Sequence, residues 1–171
     1  MKAVIYTSNT GFTRKYAHML SEQLHIPAYN AGLGEDKKTL SKGDEVIYMG
    51  WINANRIEGL KKAARRYNVR AVCPCGISET DDSITQNLRA KNGIYDDIPV
   101  FYLRGGMNFS KLTGGRKKML MMFGRVLKKT AVSGNREEAK KAAEIIKILD
   151  KGADFTGSTK LKPVIEWYRG I

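Results

Sequence analysis

The sequence predicts a three-layer α/β fold, a doubly wound parallel sheet of five strands with a basic helical insertion after the last strand. Three observations predict it. Short apolar runs alternate with segments of helical periodicity, the runs are apolar at successive positions as strands covered on both faces must be, and the first run passes through a hydroxyl-rich turn directly into a helix. At 171 residues, 42% hydrophobic and 27% charged, the chain fits one domain, residues 1–171, with a core of its own.

Taken in order, Lys2 to Thr7 is a buried strand, built on Ala3, Val4, Ile5 and Tyr6. From Thr13 the positions Tyr16, Ala17, Met19, Leu20 and Leu24 recur at helical spacing, with Thr13 or a nearby hydroxyl as the cap. Ile26 to Tyr29 is a weak strand and Glu45 to Gly50 a strong one. A basic helix over Arg56 to Tyr67 follows, then a strand over Val69 to Cys75, a modest helix over Ser83 to Lys91 and a strand over Pro99 to Leu103. Residues Gly106 to Val132 exceed an ordinary crossover and form the insertion. The last helix, Arg136 to Leu149, turns Ala139, Ala142, Ala143, Ile145, Ile146 and Leu149 inward.

The charge is the unusual property. With 30 Lys and Arg against 17 Asp and Glu, the net charge is +13, and self-repulsion of this size implies an anionic partner. No acidic residue lies between Asp97 and Glu137. Within that stretch Lys117, Lys118, Arg125, Lys128 and Lys129 flank Met119, Leu120, Met122, Phe123, Val126 and Leu127 at helical spacing. The result is an amphipathic basic helix, docked on its own domain or facing anionic lipid and a quinone pool.

No apolar run approaches the ~18 residues of a spanning helix, and no secretory signal opens the chain, so a cytoplasmic location is expected, with peripheral attachment to the inner membrane face through the basic helix. Cys73 and Cys75 stand two apart on one strand face and suit neither a disulfide framework nor zinc; packed thiols are expected, and a strained redox pair is the alternative. His18 and His25 belong to no Cys, His or carboxylate cluster, so no metal site is expected.

The chemistry concentrates at Ser8-Asn9-Thr10-Gly11-Phe12-Thr13, where backbone N–H groups and three hydroxyls converge on the positive end of a helix. Hydroxyls and amides hold a phosphate dianion without a lysine, and Gly11 permits close approach or a positive φ. An ordinary capped strand-to-helix turn would share this spacing. The segment resembles the phosphate loop of the flavodoxin superfamily, Ser/Thr-x-Thr-Gly-x-Thr. Tyr6 to Ala17, Gly50-Trp51-Ile52-Asn53-Ala54, Ile57 to Lys62 and Phe101 to Leu112 resemble more closely the branch containing menaquinone-dependent protoporphyrinogen IX dehydrogenases, over about residues 2 to 130.

The resemblance implies a flavodoxin-like sheet of order 2-1-3-4-5 holding noncovalent FMN. It places the isoalloxazine between loops corresponding to Gly50 to Asn55 and to Cys75 to Thr80, thus adding Gly50, Trp51, Ile52, Asn53, Ala54, Cys75, Gly76, Ile77 and Ser78 to the cofactor site. Trp51 is expected against the flavin, where stacking hinders reduction to the anionic hydroquinone. No acid or base catalyst is identifiable. The expected activity is an FMN-dependent oxidoreductase with a quinone or redox-protein acceptor. An electron carrier without its own substrate is the alternative, although such carriers are typically acidic. A basic nucleic-acid-binding domain on the same fold has only the charge in its favour.

Overall fold

Parallel pairing organises the first of the two units into which the chain divides, Met1–Gly105 with Phe155–Ile171, the second being Gly106–Asp154. The computed structural model describes residues 1–79, 82–107 and 152–171 and, between them, residues 124, 125, 129, 131–133, 135, 136, 139, 140, 142, 143 and 146.

In the first unit β1 (Ala3–Thr7) leads to α1 (Phe12–Leu24), β2 (Ala28–Asn30), α2 (Asp36–Thr39) and β3 (Glu45–Asn53). Next come β4 (Arg56–Ile57), α3 (Leu60–Ala64), β5 (Asn68–Gly76), α4 (Asp82–Asn92) and β6 (Leu103–Arg104), and α5 (Lys162–Arg169) returns at the end of the chain. In the second unit β7 (Gly106–Met107) pairs antiparallel with β8 (Ala153–Asp154), and Ala142 is buried.

The sheet has the order β2-β1-β3-β5-β6, with β4 paired to β3 off that path. It is a parallel α/β sheet compatible with a flavodoxin-like fold. It has six strands where five were expected, so the order reads 2-1-3-5-6 in place of 2-1-3-4-5. The extra strand arises at Asn53-Ala54-Asn55-Arg56, where Ala54 and Asn55 adopt φ of 46° and 63° and turn the chain back on β3. That reversal shortens the expected helix Arg56 to Tyr67 to Leu60–Ala64. The expected strand Pro99 to Leu103 is likewise displaced: a bridge joins Val72 to Val100, and strand pairing resumes only at Leu103–Arg104.

Successive strand residues feed opposite cores, as a covered parallel sheet requires. Val4, Ile47, Met49 and Cys73 pack with Tyr16, Leu20 and Leu24 of α1 and Val164 and Ile165 of α5. Ile5, Val46, Tyr48 and Val72 pack with Leu60 and Ala63 of α3 and Leu88 of α4. A 13-residue helix such as α1 is marginal alone. Its stripe of buried residues decides the matter, because each fully buried large apolar side chain contributes about 1.5–3 kcal/mol. No side-chain cap is present on α1; the N-cap is Gly11, at φ 102°, and the expected Thr13 cap is replaced by a left-handed glycine. Thr13 lies inside the helix and is buried.

The expected strand near Ile26 pairs at Ala28–Asn30, and the polar stretch after it contains α2. The basic residues Lys117, Lys118 and Lys128 lie outside the described residues; Arg125 and Lys129 are described and exposed. Among the described residues no helix is long and apolar enough to cross a membrane.

Candidate functional site

Because β1, β3, β5 and β6 run parallel, the segments following them emerge at one end of the sheet, in the register Thr7↔Gly50, Trp51↔Cys75 and Gly76↔Arg104. Ligands in open α/β sheets bind beyond these carboxyl ends. Ser8 to Gly11 form the whole connection from β1 to α1. The Gly11 N–H donates to Ser8 Oγ at 3.2 Å, closing a small turn, and the first helical bond is donated by Lys15 N–H to the Gly11 carbonyl at 2.9 Å. Among the described residues, no protein group accepts from the backbone N–H of Thr10, Phe12 or Thr13. The left-handed Gly11 has open space where a Cβ would project. A partly exposed loop at a helix N-terminus, whose Thr10, Phe12 and Thr13 amides have no acceptor among the described residues, suits a phosphate monoester.

Beneath this loop the first turn of α1 meets the end of β5. Cys75 is buried and hydrogen-bonded to Thr13; burial pushes its thiol up to about 12, only partly opposed by that bond. Cys73, wholly buried, is raised further by the same desolvation and by the neighbouring Cys75. Both are free thiols facing one core, which is the packed arrangement expected. A Cβ on Gly105 would stand 2.5 Å from Cys75 Sγ and 3.4 Å from Phe12 Cβ, so only glycine lets the chain pass there without displacing the thiol.

Both segments expected as loops begin in strand. Gly50 to Asn53 remain in β3 because β4 pairs with Ile52 and Asn53, leaving only Ala54 and Asn55 as the turn. Cys75 and Gly76 complete β5; Ile77 and Ser78 follow it. The Ile52 side chain and the Tyr102 ring close over Gly76. Trp51 is half-buried and joins the group through its register with Cys75. Glu58 ties the β3 end to β1: its carbonyl accepts from Thr7 Oγ1 and from Tyr48 OH, each at 2.6 Å, and its carboxylate accepts from Asn53 Nδ2.

Tyr102 and Arg104 were not among the expected site residues. Tyr102 OH donates to the Ser78 carbonyl at 3.1 Å, and burial pushes the phenol up to about 12. Arg104 donates from Nε to the Ile77 carbonyl at 3.2 Å and from Nη1 to Glu79 at 2.8 Å, with its guanidinium 3.8 Å over the Phe155 ring. Together they hold residues 77 to 79 against the sheet. The available signal was their position in or next to the strand expected over Pro99 to Leu103, within the stretch Phe101 to Leu112 that carries part of the sequence resemblance. His18 lies edge-on to Tyr6, His25 ends α1 in a left-handed conformation, and among the described residues no cluster of three or more ligating side chains occurs.

In comparisons with known proteins, no family model, curated protein or solved structure matches the chain. The functional reading therefore rests on the geometry and on the sequence resemblance.

Proposed function

We propose that the chain binds FMN noncovalently and acts as an FMN-dependent oxidoreductase, with the phosphate held by Ser8 to Thr13. The observation that carries this reading is the loop between β1 and α1: amides at Thr10, Phe12 and Thr13 with no acceptor among the described residues, a left-handed Gly11, and partly exposed hydroxyls on Ser8 and Thr10 at the carboxyl end of a parallel sheet. A lysine-free anion site of this kind binds through aligned N–H dipoles and hydroxyl donors.

FMN, when bound, supplies one- and two-electron transfer. The chain's contribution is placement and electrostatics. Ser8, Asn9 and Thr10 hold the phosphate; Trp51 and Ile52 offer an aromatic and an aliphatic wall; Gly76, Ile77 and Ser78, braced by Tyr102 and Arg104, form the facing segment. The finer reading is a quinone-linked dehydrogenase similar to the protoporphyrinogen IX dehydrogenase branch, docking on anionic membrane through Lys117, Lys118, Arg125, Lys128 and Lys129. The net charge of +13 favours it over an acidic soluble carrier. The test is reconstitution: protein mixed with FMN and freed of excess by gel filtration should retain a flavin visible spectrum in about equimolar amount. Colourless protein would remove both redox readings.

A further inference from the structure

At the other end of the same sheet, where β5 begins, a groove of about 750 Å³ opens between α3 and the segment after α4. Its floor is apolar and buried, with Leu60, Val69 and Val72. One wall carries exposed Lys61 of α3 and Arg65 just after it, and Arg70 projects from β5; among the described residues Asp97 is the single acidic side chain of the lining. Arg70 shares Glu45 at 3.6 Å, whereas Lys61 and Arg65 have no ion pair among the described residues. Tyr95, 77% exposed, and Trp167 give the opposite side aromatic surface.

The groove also runs along an open strand edge. β5 pairs with β3 from Asn68 onward, but on its other side pairing begins only at Val72, through the bridge to Val100. Among the described residues, Asn68 to Ala71 therefore have a strand partner on one side alone. Arg70 is the extra residue of a bulge, since Val46 pairs with Val69 and Ile47 with Ala71. An uncovered edge beside an apolar floor accepts an extended peptide as an added strand, with side-chain pockets supplying selectivity. Lys61 and Arg65, beside the Glu45-paired Arg70 and facing Asp97 as the one acidic side chain of the lining, favour an acidic peptide.

We propose that this groove docks an extended acidic segment of a partner protein, added as a short strand along Asn68 to Ala71, its carboxylates facing Lys61, Arg65 and Arg70 and its apolar side chains resting toward Trp167. The proposal is independent of the flavin reading, because it uses residues at the opposite end of the strands.

The test uses the full chain and a fluorescein-labelled octapeptide alternating glutamate with valine, followed by anisotropy. Saturable binding is expected. Lys61→Glu with Arg65→Glu should weaken it by about tenfold or more, as like charges then face the peptide. Lys37→Glu with Lys38→Glu, an equal charge change on α2 outside the groove, should change it by less than about twofold at physiological salt. Peptide N-methylated on alternate residues, which cannot form the ladder, should also bind at least about tenfold more weakly. The proposal is overturned if the peptide does not bind, if both charge reversals weaken it equally, if N-methylation has no effect, or if an octathymidylate competes more tightly for the same residues. Far-ultraviolet dichroism of each variant verifies that the fold is retained, which the exposure of all four lysine and arginine positions leads one to expect.

Discussion

Gly105→Ala should damage the underside of the proposed phosphate loop in a way a second substitution repairs. The added Cβ would stand 2.5 Å from Cys75 Sγ, closer than such contacts occur, but at ordinary distances of 3.4 and 3.5 Å from Phe12 Cβ and the Gly76 carbonyl. The thiol is buried and hydrogen-bonded to Thr13, so it has no free direction in which to move. Overpacking of this kind costs about 1–3 kcal/mol, and in a chain of this size each kcal/mol lowers the melting temperature by about 2–4 °C. Cys75→Ala alone leaves a small cavity and loses the Thr13 bond, for about 1–2 kcal/mol. In the double variant the new methyl occupies the space the sulfur vacated. Its loss of stability should therefore be smaller than the sum of the two single losses by about 1 kcal/mol or more, measured by urea unfolding in a double-mutant cycle. Strict additivity would show that the thiol does not confront Gly105 and would refute the packing described beneath the loop.

Other outcomes follow from the same contacts. Gly59, at φ 82° and with Tyr48 OH and Thr7 Cγ2 in the way of an added Cβ, should not tolerate alanine: Gly59→Ala should cost about 2–4 kcal/mol in urea unfolding. Both thiols are raised by burial, so they release protons more readily in the unfolded chain. Stability should hold below about pH 8.5 and fall above it, toward the Cys75 value near 12, by about 1.4 kcal/mol per pH unit per thiol. Replacing both with alanine should flatten that decline in melts at pH 9–11. Tyr102→Phe removes the bond to the Ser78 carbonyl at 3.1 Å and should cost about 0.5–1.5 kcal/mol, with faster amide exchange over residues 77 to 79. In a Trp167→Phe background, FMN should quench the remaining Trp51 emission; unaltered emission at saturation would take Trp51 off the flavin.

The buried strands were legible because parallel pairing demands apolar residues on both faces, and Ala3 to Tyr6, Val46 to Met49 and, past the exposed Arg70, Ala71 to Cys75 meet that demand. The phosphate-like loop was legible because it depends on local order: a strand, a hydroxyl-rich turn and a helix in immediate succession. What escaped was set by contacts distant in sequence or by unusual backbone. The β4 reversal depends on left-handed Ala54 and Asn55, and alanine gives no warning of a positive φ. α5 is eight residues long, too short for a firm periodic signal, and is stabilised by burying Val164 and Ile165 in a core begun by residues far earlier in the chain. Tyr102 and Arg104 acquire their roles only when β6 lies beside β5 and their side chains reach Ser78, Ile77 and Glu79.

The central claim is that Ser8 to Thr13 hold the phosphate of FMN, and it is tested most directly by titrating the protein in parallel with FMN and riboflavin, which differ only in that phosphate. The wild type should bind FMN more tightly by several kcal/mol, since each charge-assisted bond to the phosphate contributes about 1.5–3 kcal/mol. Thr10→Val, at a partly exposed position, should remove about one such bond from FMN and leave riboflavin affinity unchanged. Equal affinity for the two ligands, or an equal loss for both in the variant, would contradict the assignment of this loop to the phosphate.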